Sequence, residues 1–252
     1  MLAIERRNAI LAKLATDGKV IVSDLSEEFQ VTEETIRRDL EKLDKEGLAK
    51  KTYGGAVVLD NHGTDLPYNV RKRVNANFKE VIAQKIAEMI HDGDTIMLDA
   101  STTAISVTKY IKSRENITIV TNSVEILLDL ADKPEWNILS TGGMLKKGSL
   151  ALVGPSAEKM ISGFHVDIAV CSSKGIDMSM GISDSNEKDA QIKEAIFSAA
   201  DKRILAIDSS KFDKCSFVKV GDVRDIDILV TNERPSDAWL SYCKEHHVEL
   251  IY

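Results

Sequence analysis

The stretch that decides how the front of this chain folds is VTEETIRRDL, residues 31–40. Ile36, Leu40 and Leu43 recur at i, i+4 and i+7, which predicts a helix with one inward-facing apolar stripe. Thr32 can cap this helix, because a threonine hydroxyl accepts a hydrogen bond from a backbone N–H of the first turn. The stretch therefore predicts a short, capped, amphipathic helix.

The residues on either side predict a helix-turn-helix followed by a β wing. Upstream, a second helix is expected to begin at a cap formed by Ser23. Downstream, Gly47 suits the left-handed position that ends a helix. Residues 52–55 then predict a hairpin turn between short strands at 48–51 and 56–59, because glycine tolerates a positive φ.

A further helix is predicted over residues 4–16, ended by Gly18. The side expected to face the core consists of Ile4, Ile10, Leu11 and Leu14. Three helices and a wing are typical of a module that places one helix in the major groove of DNA.

The outward side of the helix after Thr32 supplies the candidates for DNA contact. Thr35 and Arg37 are expected to reach base edges, and Arg38 with Lys50 and Lys51 to hold phosphates. The full set of predicted DNA-binding residues is Ser23, Thr32, Thr35, Arg37, Arg38, Lys50, Lys51, Tyr53 and Gly54.

Composition and charge argue against a membrane-spanning or secreted protein and against a chain that is basic throughout. The 252 residues carry a net charge of −7, and the first 60 hold 10 Lys/Arg against 12 Asp/Glu, so a basic DNA-binding surface must be a local patch. No run of about 18 apolar residues exists, and the N-terminus has no secretory signal, so a cytoplasmic protein is expected. Three cysteines at wide spacing are expected to be small buried apolar residues, and the histidines show no metal-ligand spacing.

Beyond residue 94 short apolar runs alternate with amphipathic helices, which predicts a mainly parallel sheet with helices on both faces. The predicted strands are 95–98, 117–120, 137–139, 168–171, 204–207, 226–230 and 248–251, and the predicted helices are 103–113, 124–132, 155–162, 187–200 and 236–246. The fold class is thus α/β. A winged helix-turn-helix at 1–59, with the helix-turn-helix at 20–39, is followed by a linker at 60–77 and a doubly wound domain at 78–252.

Small, polar loops follow several predicted strands, where ligands of such sheets bind. Hydroxyls and free backbone N–H groups at a helix N-terminus can bind a phosphate, although for any single loop an ordinary helix cap is an equal alternative. Lys193 is expected to lie on a solvated helix face. The predicted effector-binding residues are Asp99, Ser101, Thr102, Thr103, Thr121, Asn122, Ser123, Thr141, Gly142, Gly143, Lys174, Gly175, Asp177 and Lys211.

Taken together, residues 35–40, the wing at 53–56 and the downstream loops resemble DeoR-type bacterial transcriptional regulators over nearly the whole chain. The resemblance implies a C-terminal domain similar to ribose-phosphate isomerases and CoA transferases that senses a phosphorylated sugar. It further implies a repressor of a sugar-catabolism operon that binds operator DNA. We expect a homodimer or homotetramer, with no cofactor, no metal and no contact with a membrane. The chain departs from the family pattern at Tyr53, usually histidine, and at Ser101, commonly glycine.

Two other interpretations remain open from the sequence. The effector domain alone fits a sugar-phosphate isomerase in which Asp99, Glu187 or Lys211 transfers a proton, since similar folds host different functions. An isomerase, however, has no use for the residues around Arg37, and no convincing acid–base pair is visible. A protein-interaction module that docks through the winged helix is the third interpretation.

Overall fold

The front of the chain contains helices and short strands in the order expected for a winged helix-turn-helix. The structure, a computed structural model, describes residues 1–58 and 66–252, and contacts divide the chain into units at 1–76 and 77–252. The elements of the first unit are α1 (Ala3–Asp17), β1 (Lys19–Ile21), α2 (Val22–Phe29), α3 (Glu33–Lys45), β2 (Lys50–Lys51), β3 (Gly55–Val57) and α4 (Tyr68–Arg73).

The core of the first unit is built by the apolar stripes of its helices. Ile36, Leu40 and Leu43 of α3 are all buried, as the spacing predicts. In α1, Ile10 is buried with Leu11 and Leu14, but the prediction for Ile4 is wrong, because its side chain is 56% exposed. Ile4 lies in the first turn of α1, one turn before the part of that helix that packs into the core. Gly18 ends α1 with φ at 74°, as predicted.

The start of α2 differs from the prediction. Ser23 does not cap it, because α2 begins at Val22 and its N-cap is Ile21, which offers no side-chain acceptor. The N–H of Val22 instead donates to the carbonyl of Gly54 in the wing at 2.9 Å. Backbone from the wing thus replaces the expected hydroxyl, and Ser23 donates to the neighbouring Asp24 carboxylate at 2.9 Å.

The wing is a three-stranded antiparallel sheet in the order β1-β3-β2. Gly55 is required for close approach and not for the positive φ that the sequence suggested, because a Cβ on it would lie 1.9 Å from the Val20 carbonyl oxygen. Gly54 has open space around it. Leu59, at the end of the predicted second wing strand, lies outside the described residues.

Part of the predicted linker is a helix. Residues 68–73 form α4, and the side chain of Val70 is fully buried in the core of the first unit. Burying the Val70 side chain is more favourable than leaving it exposed in an extended linker. Pro67 is the N-cap of the helix. Residues 60–65 of the predicted linker lie outside the described part of the chain.

The second unit is organised by a seven-stranded parallel sheet in the order β15-β14-β12-β9-β4-β5-β6. Its strands are β4 (Thr95–Leu98), β5 (Thr118–Thr121), β6 (Asn137–Ser140), β9 (Val166–Cys171), β12 (Ala200–Ala206), β14 (Ile228–Val230) and β15 (Glu249–Ile251). Its helices are α5 (Ala76–Glu88), α6 (Thr102–Ile111), α7 (Val124–Leu130), α8 (Pro155–Ile161), α9 (Glu187–Ser198) and α10 (Asp237–Glu245). The predicted doubly wound α/β class is confirmed.

The strand order reverses at β4. From β4 the chain proceeds outward through β5 to β6, and β9 then returns to the other side of β4. In open parallel sheets the crevice at such a reversal, outside the carboxyl ends of the strands, is where ligands bind. We call the loops that follow these strands the carboxyl edge of the sheet.

Short antiparallel strands, absent from the sequence prediction, form two further small sheets in the second unit. They are β7 (Met144–Lys146) paired with β8 (Ala151–Val153), and β10 (Gly175–Asp177) paired with β11 (Gly181–Asp184), which also pairs with β13 (Val218–Gly221). Cys171 and Cys243 are buried as expected, but Cys215, shortly before β13, is exposed. No helix among the described residues is long and apolar enough to cross a membrane.

Candidate DNA-binding surface and effector site

Thr32 caps the helix that the sequence singled out. Its hydroxyl accepts a hydrogen bond from the Thr35 N–H at 3.3 Å, and the two threonine hydroxyls lie 2.9 Å apart. Glu33 and Glu34 occupy the first turn, where the helix dipole favours acidic groups. The cap fixes the start of α3 and with it the outward direction of the residues that follow.

Arg37 and Arg38 both project from the first half of α3 and are paired with acidic residues one turn earlier. Arg37 donates to Glu33 at 2.9 Å, and Arg38 donates to Glu34 at 3.0 Å. The Arg38 side chain is 77% exposed and that of Arg37 42% exposed. Such exposed pairs contribute at most about 1 kcal/mol, so phosphate oxygens can replace the glutamates at little cost.

The wing lies beside this helix. Arg37 donates to the Tyr53 carbonyl oxygen at 3.3 Å, which connects α3 to the wing tip. The Tyr53 side chain is fully exposed, and Gly54, Lys50 and Lys51 are exposed with it. The structure thus brings the backbone of the wing tip next to Arg37, while the backbone N–H of Lys51 donates to the Asp44 carboxylate near the other end of α3 at 2.9 Å. Ser23 is also exposed, but it stands in the first turn of α2.

One buried ion pair behind this surface was not predicted. The Arg6 guanidinium of α1 donates to the Asp39 carboxylate of α3 at 2.5 Å, and Arg7 approaches the other oxygen at 3.4 Å. The side chains of Arg6 and Asp39 are 9% and 6% exposed. The sequence held a signal for it, because Asp39 falls on the same side of the helix as Ile36 and Leu43.

In the second unit, Asp99 lies at the carboxyl edge directly after β4, at the strand reversal. It is almost fully buried, and its two oxygens accept hydrogen bonds from the backbone N–H groups of Ser101 at 3.0 Å and Ser172 at 3.2 Å. Asp99 therefore joins the loops after β4 and β9. These hydrogen bonds hold the carboxylate in place.

The expectation that Lys193 lies on a solvated face is wrong. Its side chain is 13% exposed, and its ammonium forms ion pairs with Asp184 and, at 3.7 Å, with Asp99. The sequence missed Asp184, because it ends β11, a strand too short to be recognised. Three elements are thus joined by one buried cluster, Asp99–Lys193–Asp184.

Each charge in this cluster changes the proton affinity of the others. Burial raises the pKa of Asp99, and the Lys193 charge offsets this only in part. Burial also acts to raise the pKa of Asp184, but the ion pair with Lys193 outweighs it, so the Asp184 pKa is lowered. Burial acts to lower the pKa of Lys193, yet the surrounding carboxylates of Asp184, Asp99 and Asp189 raise it overall.

The loops after β4 and β5 include the helix caps that the sequence allowed as an alternative. Ser101 accepts from the Ala104 N–H at the start of α6, and Ser123 accepts from the Ile126 N–H at the start of α7. Thr121 donates to the Leu98 carbonyl oxygen at 2.7 Å. Thr102 and Thr103 are the first residues of α6, Asn122 lies in the loop after β5, and each is more than nine-tenths buried.

The loop after β6 contains Thr141, which is buried, and two exposed glycines, Gly142 and Gly143. Both glycines have positive φ, and a Cβ on Gly143 would lie 2.8 Å from the Val153 carbonyl oxygen. The glycines therefore allow β8 to approach this loop closely. The structure places all three residues at the carboxyl edge, as the sequence predicted.

The remaining predicted residues follow β9 and β12. Lys174 and Gly175 lie where β9 passes into β10, and a Cβ on Gly175 would lie 2.2 Å from the Lys214 carbonyl oxygen. The Asp177 carboxylate accepts hydrogen bonds from the N–H groups of Ser179 and Met180 in the β10–β11 turn, which gives it a local role.

Lys211 follows β12 and is half-buried at the carboxyl edge. Burial lowers its pKa, Asp208 acts in the opposite sense, and the charges of Lys174 and Lys214 lower the pKa further. Within residues 1–58 and 66–252 its ammonium has no hydrogen-bond or ion-pair partner. Three lysines thus make this part of the edge suited to an anion.

Two family models match the chain. The model described as a DeoR-like helix-turn-helix domain matches residues 6–62, and the model described as a DeoR C terminal sensor domain matches residues 74–233. The two matches follow one another along the chain with a short gap.

Similar curated proteins match almost end to end. An uncharacterized HTH-type transcriptional regulator of Bacillus subtilis, YulB, is 38% identical, over 92% of this chain and 90% of its own length. The L-fucose operon activator of Haemophilus influenzae is 34% identical over 98% of both chains. The glycerol-3-phosphate regulon repressor of Escherichia coli is 30% identical over 98% of this chain and 97% of its own.

Among solved structures, ribose 5-phosphate isomerase A of Methanocaldococcus jannaschii matches with a TM-score of 0.40 and 16% identity, over 55% of each chain.

Proposed function

The chain belongs to the DeoR family of DNA-binding transcriptional regulators, and from that premise we propose that it represses a sugar-catabolism operon under the control of a phosphorylated sugar. The observation that carries the proposal is the outward side of α3, where Arg37 and Arg38 are exposed and Arg37 contacts the wing at the Tyr53 carbonyl oxygen. In the second unit, the corresponding observation is the half-buried Lys211 at the carboxyl edge of the sheet.

Operator recognition by α3 is tested with duplexes selected by the wild-type protein from a random library. Arg37→Ala and Arg38→Ala are each expected to weaken operator binding by roughly tenfold or more, because each substitution removes a contact to a base or a phosphate. Lys13→Ala is the matched control: Lys13 pairs with Glu28 at 2.9 Å in the same unit, but lies on neither α3 nor the wing. Equal affinities for all four proteins in a gel shift would remove α3 as the recognition helix.

Several features of the carboxyl edge support an anionic effector. The cluster Asp99–Lys193–Asp184 satisfies its own charges, whereas Lys211 lies beside Lys174 and Lys214 with a lowered pKa. A phosphate bound there would add negative charge beside these lysines, each of which can pair with it as a point charge.

A thermal-shift screen tests the effector proposal. Pentose and hexose phosphates are compared with the same sugars unphosphorylated and with inorganic phosphate. A phosphorylated sugar at a hundredfold excess over its Kd should raise the melting temperature by about 5–10 °C. Lys211→Met should abolish most of that shift, and Lys188→Met, an exposed lysine on α9, should keep it. A shift of equal size with unphosphorylated sugars would contradict a phosphate site.

A regulatory role without catalysis is part of the same proposal. Asp99 is held by two backbone N–H groups and by Lys193, which argues against its use as a base for isomerisation. A coupled assay with pentose and hexose phosphates is expected to show no turnover above background. Turnover that Asp99→Asn removes would support the isomerase alternative.

The proposed regulator acts in the cytoplasm as a homodimer or homotetramer. Two winged helices would then contact half-sites about one helical turn, or a multiple of it, apart. Footprinting on the selected duplexes, with light scattering of the free protein, tests this. A monomer that protects one half-site would contradict it. The relatives include both an activator and a repressor. A reporter assay therefore decides whether this regulator represses or activates transcription.

A further inference from the structure

Asp39 is an acidic residue on the inward side of an otherwise apolar helix face. Its buried neighbours on α3 are Ile36, Leu40 and Leu43. Its carboxylate is held by Arg6 at 2.5 Å and by Arg7 at 3.4 Å, both from α1. Both arginines belong to α1 and contact the buried side of α3, so the ion pair is distinct from the surface proposed to contact DNA.

A buried ion pair of this kind is a poor source of stability. The desolvation of two charges roughly cancels their attraction, and apolar residues of similar volume are often as stable or more so. The apolar residues of α3 already pack this helix against the rest of the first unit. What the pair adds is direction, because charged hydrogen bonds have a defined geometry and apolar contacts do not.

We propose that Asp39 is a positioning residue, which fixes the rotation of α3 about its axis through Arg6 and so sets where Thr35 and Arg37 meet the DNA. The inference rests on the recognition helix of the proposed function. An α-helix held by its backbone hydrogen bonds turns as one body, so a rotation about its axis at Asp39 displaces Thr35 and Arg37 as well.

The magnitude of the effect follows from helix dimensions. Side-chain ends lie about 5–6 Å from the axis of a helix, so a rotation of about 20° moves them by about 2 Å. A hydrogen bond to a base edge tolerates only about 0.5 Å in donor–acceptor distance. Loss of the directional pair would therefore weaken base contacts, while contacts to phosphates, made by long flexible side chains such as Arg38, would persist.

The test replaces the whole ionic group by apolar residues of similar size, Arg6→Met and Arg7→Met with Asp39→Leu, so that neither arginine is left without its carboxylate. Affinity is measured at one salt concentration for a duplex selected by the wild-type protein and for an unrelated duplex. The expected result is a melting temperature at or above that of the wild type. The ratio of the two affinities should fall by about tenfold or more, and binding to the unrelated duplex should change less than about twofold.

A matched control replaces the exposed pair between α1 and α2, Lys13→Met with Glu28→Leu, and should leave the ratio unchanged. Arg6→Lys, which keeps the charge but loses the forked geometry, should give an intermediate ratio.

An unchanged ratio in Arg6→Met/Arg7→Met/Asp39→Leu would overturn the inference. So would a variant that unfolds, because the pair would then be needed for stability and not for direction. If the wild-type protein prefers no duplex over any other, the recognition helix itself fails, which is a separate and distinguishable result.

Discussion

At the scale of single residues, Gly54 and Gly55 are neighbours in the wing, but packing constrains them very differently. A Cβ on Gly55 would lie 1.9 Å from the Val20 carbonyl oxygen, whereas nothing lies within 4 Å of a Cβ on Gly54. Neither residue has a positive φ. The contact between β1 and β3, and with it the attachment of the wing, therefore depends on the absence of one methyl group.

Gly55→Ala should lower the free energy of unfolding of the first unit by about 1–3 kcal/mol or more, because β1 and β3 must move apart. Gly54→Ala should change it by less than about 0.5 kcal/mol. Urea unfolding of both variants provides the measurement. Equal stabilities would show that the wing can shift to accept a side chain at position 55.

At the scale of elements, Lys193 on α9 connects that helix to the ends of β4 and β11. Its ion pairs with Asp99 and Asp184 lie beside the strand reversal, where the effector is proposed to bind. A second ion pair, from Lys146 of β7 to Asp189 at 2.5 Å, attaches the β7–β8 hairpin to the same helix. Buried charge therefore holds together the elements that frame the carboxyl edge.

Lys193→Met should lower the free energy of unfolding by about 3–5 kcal/mol near neutral pH, because Asp99 and Asp184 would both stay buried without their cation. The lowered pKa of Asp184 stabilises the fold above the usual aspartate range, and that contribution is lost as the pH falls through the lowered value. The raised pKa of Asp99 acts in the opposite sense.

The difference in unfolding free energy between the wild type and Lys193→Met should therefore shrink as the pH falls toward about 4, because without Lys193 burial raises the pKa of both aspartates and the variant protonates them above the usual aspartate range. Urea titrations from pH 3 to pH 8 measure this, with the exposed Lys188→Met as control. A constant difference over this range would contradict the ion-pair account.

At the scale of the whole molecule, the two units have separate hydrophobic cores. The apolar cluster of residues 1–76 shares no residue with the clusters of residues 77–252 in the described parts of the chain. A regulator needs both units, because an effector alters DNA affinity only if it favours one arrangement of the assembly over another.

Calorimetry of the full chain should show two heat-absorption transitions. Gly55→Ala is expected to lower the temperature of one of them, and a bound phosphorylated sugar to raise that of the other. A single transition that responds to both changes would show that the units unfold together.

The sequence alone determined the class of both units, the capped helix α3 and the parallel strands, because repeating apolar residues and a capping threonine act over one or two turns. It failed wherever a residue's role depends on a partner far along the chain. Lys193 is paired by the ends of distant strands, Val22 is capped by the wing carbonyl of Gly54, and Val70 turns a predicted linker into a packed helix. Asp39 and Gly55 likewise owe their importance to α1 and β1. Only tertiary structure decides such pairings, since desolvation and steric exclusion depend on which atoms the fold brings together.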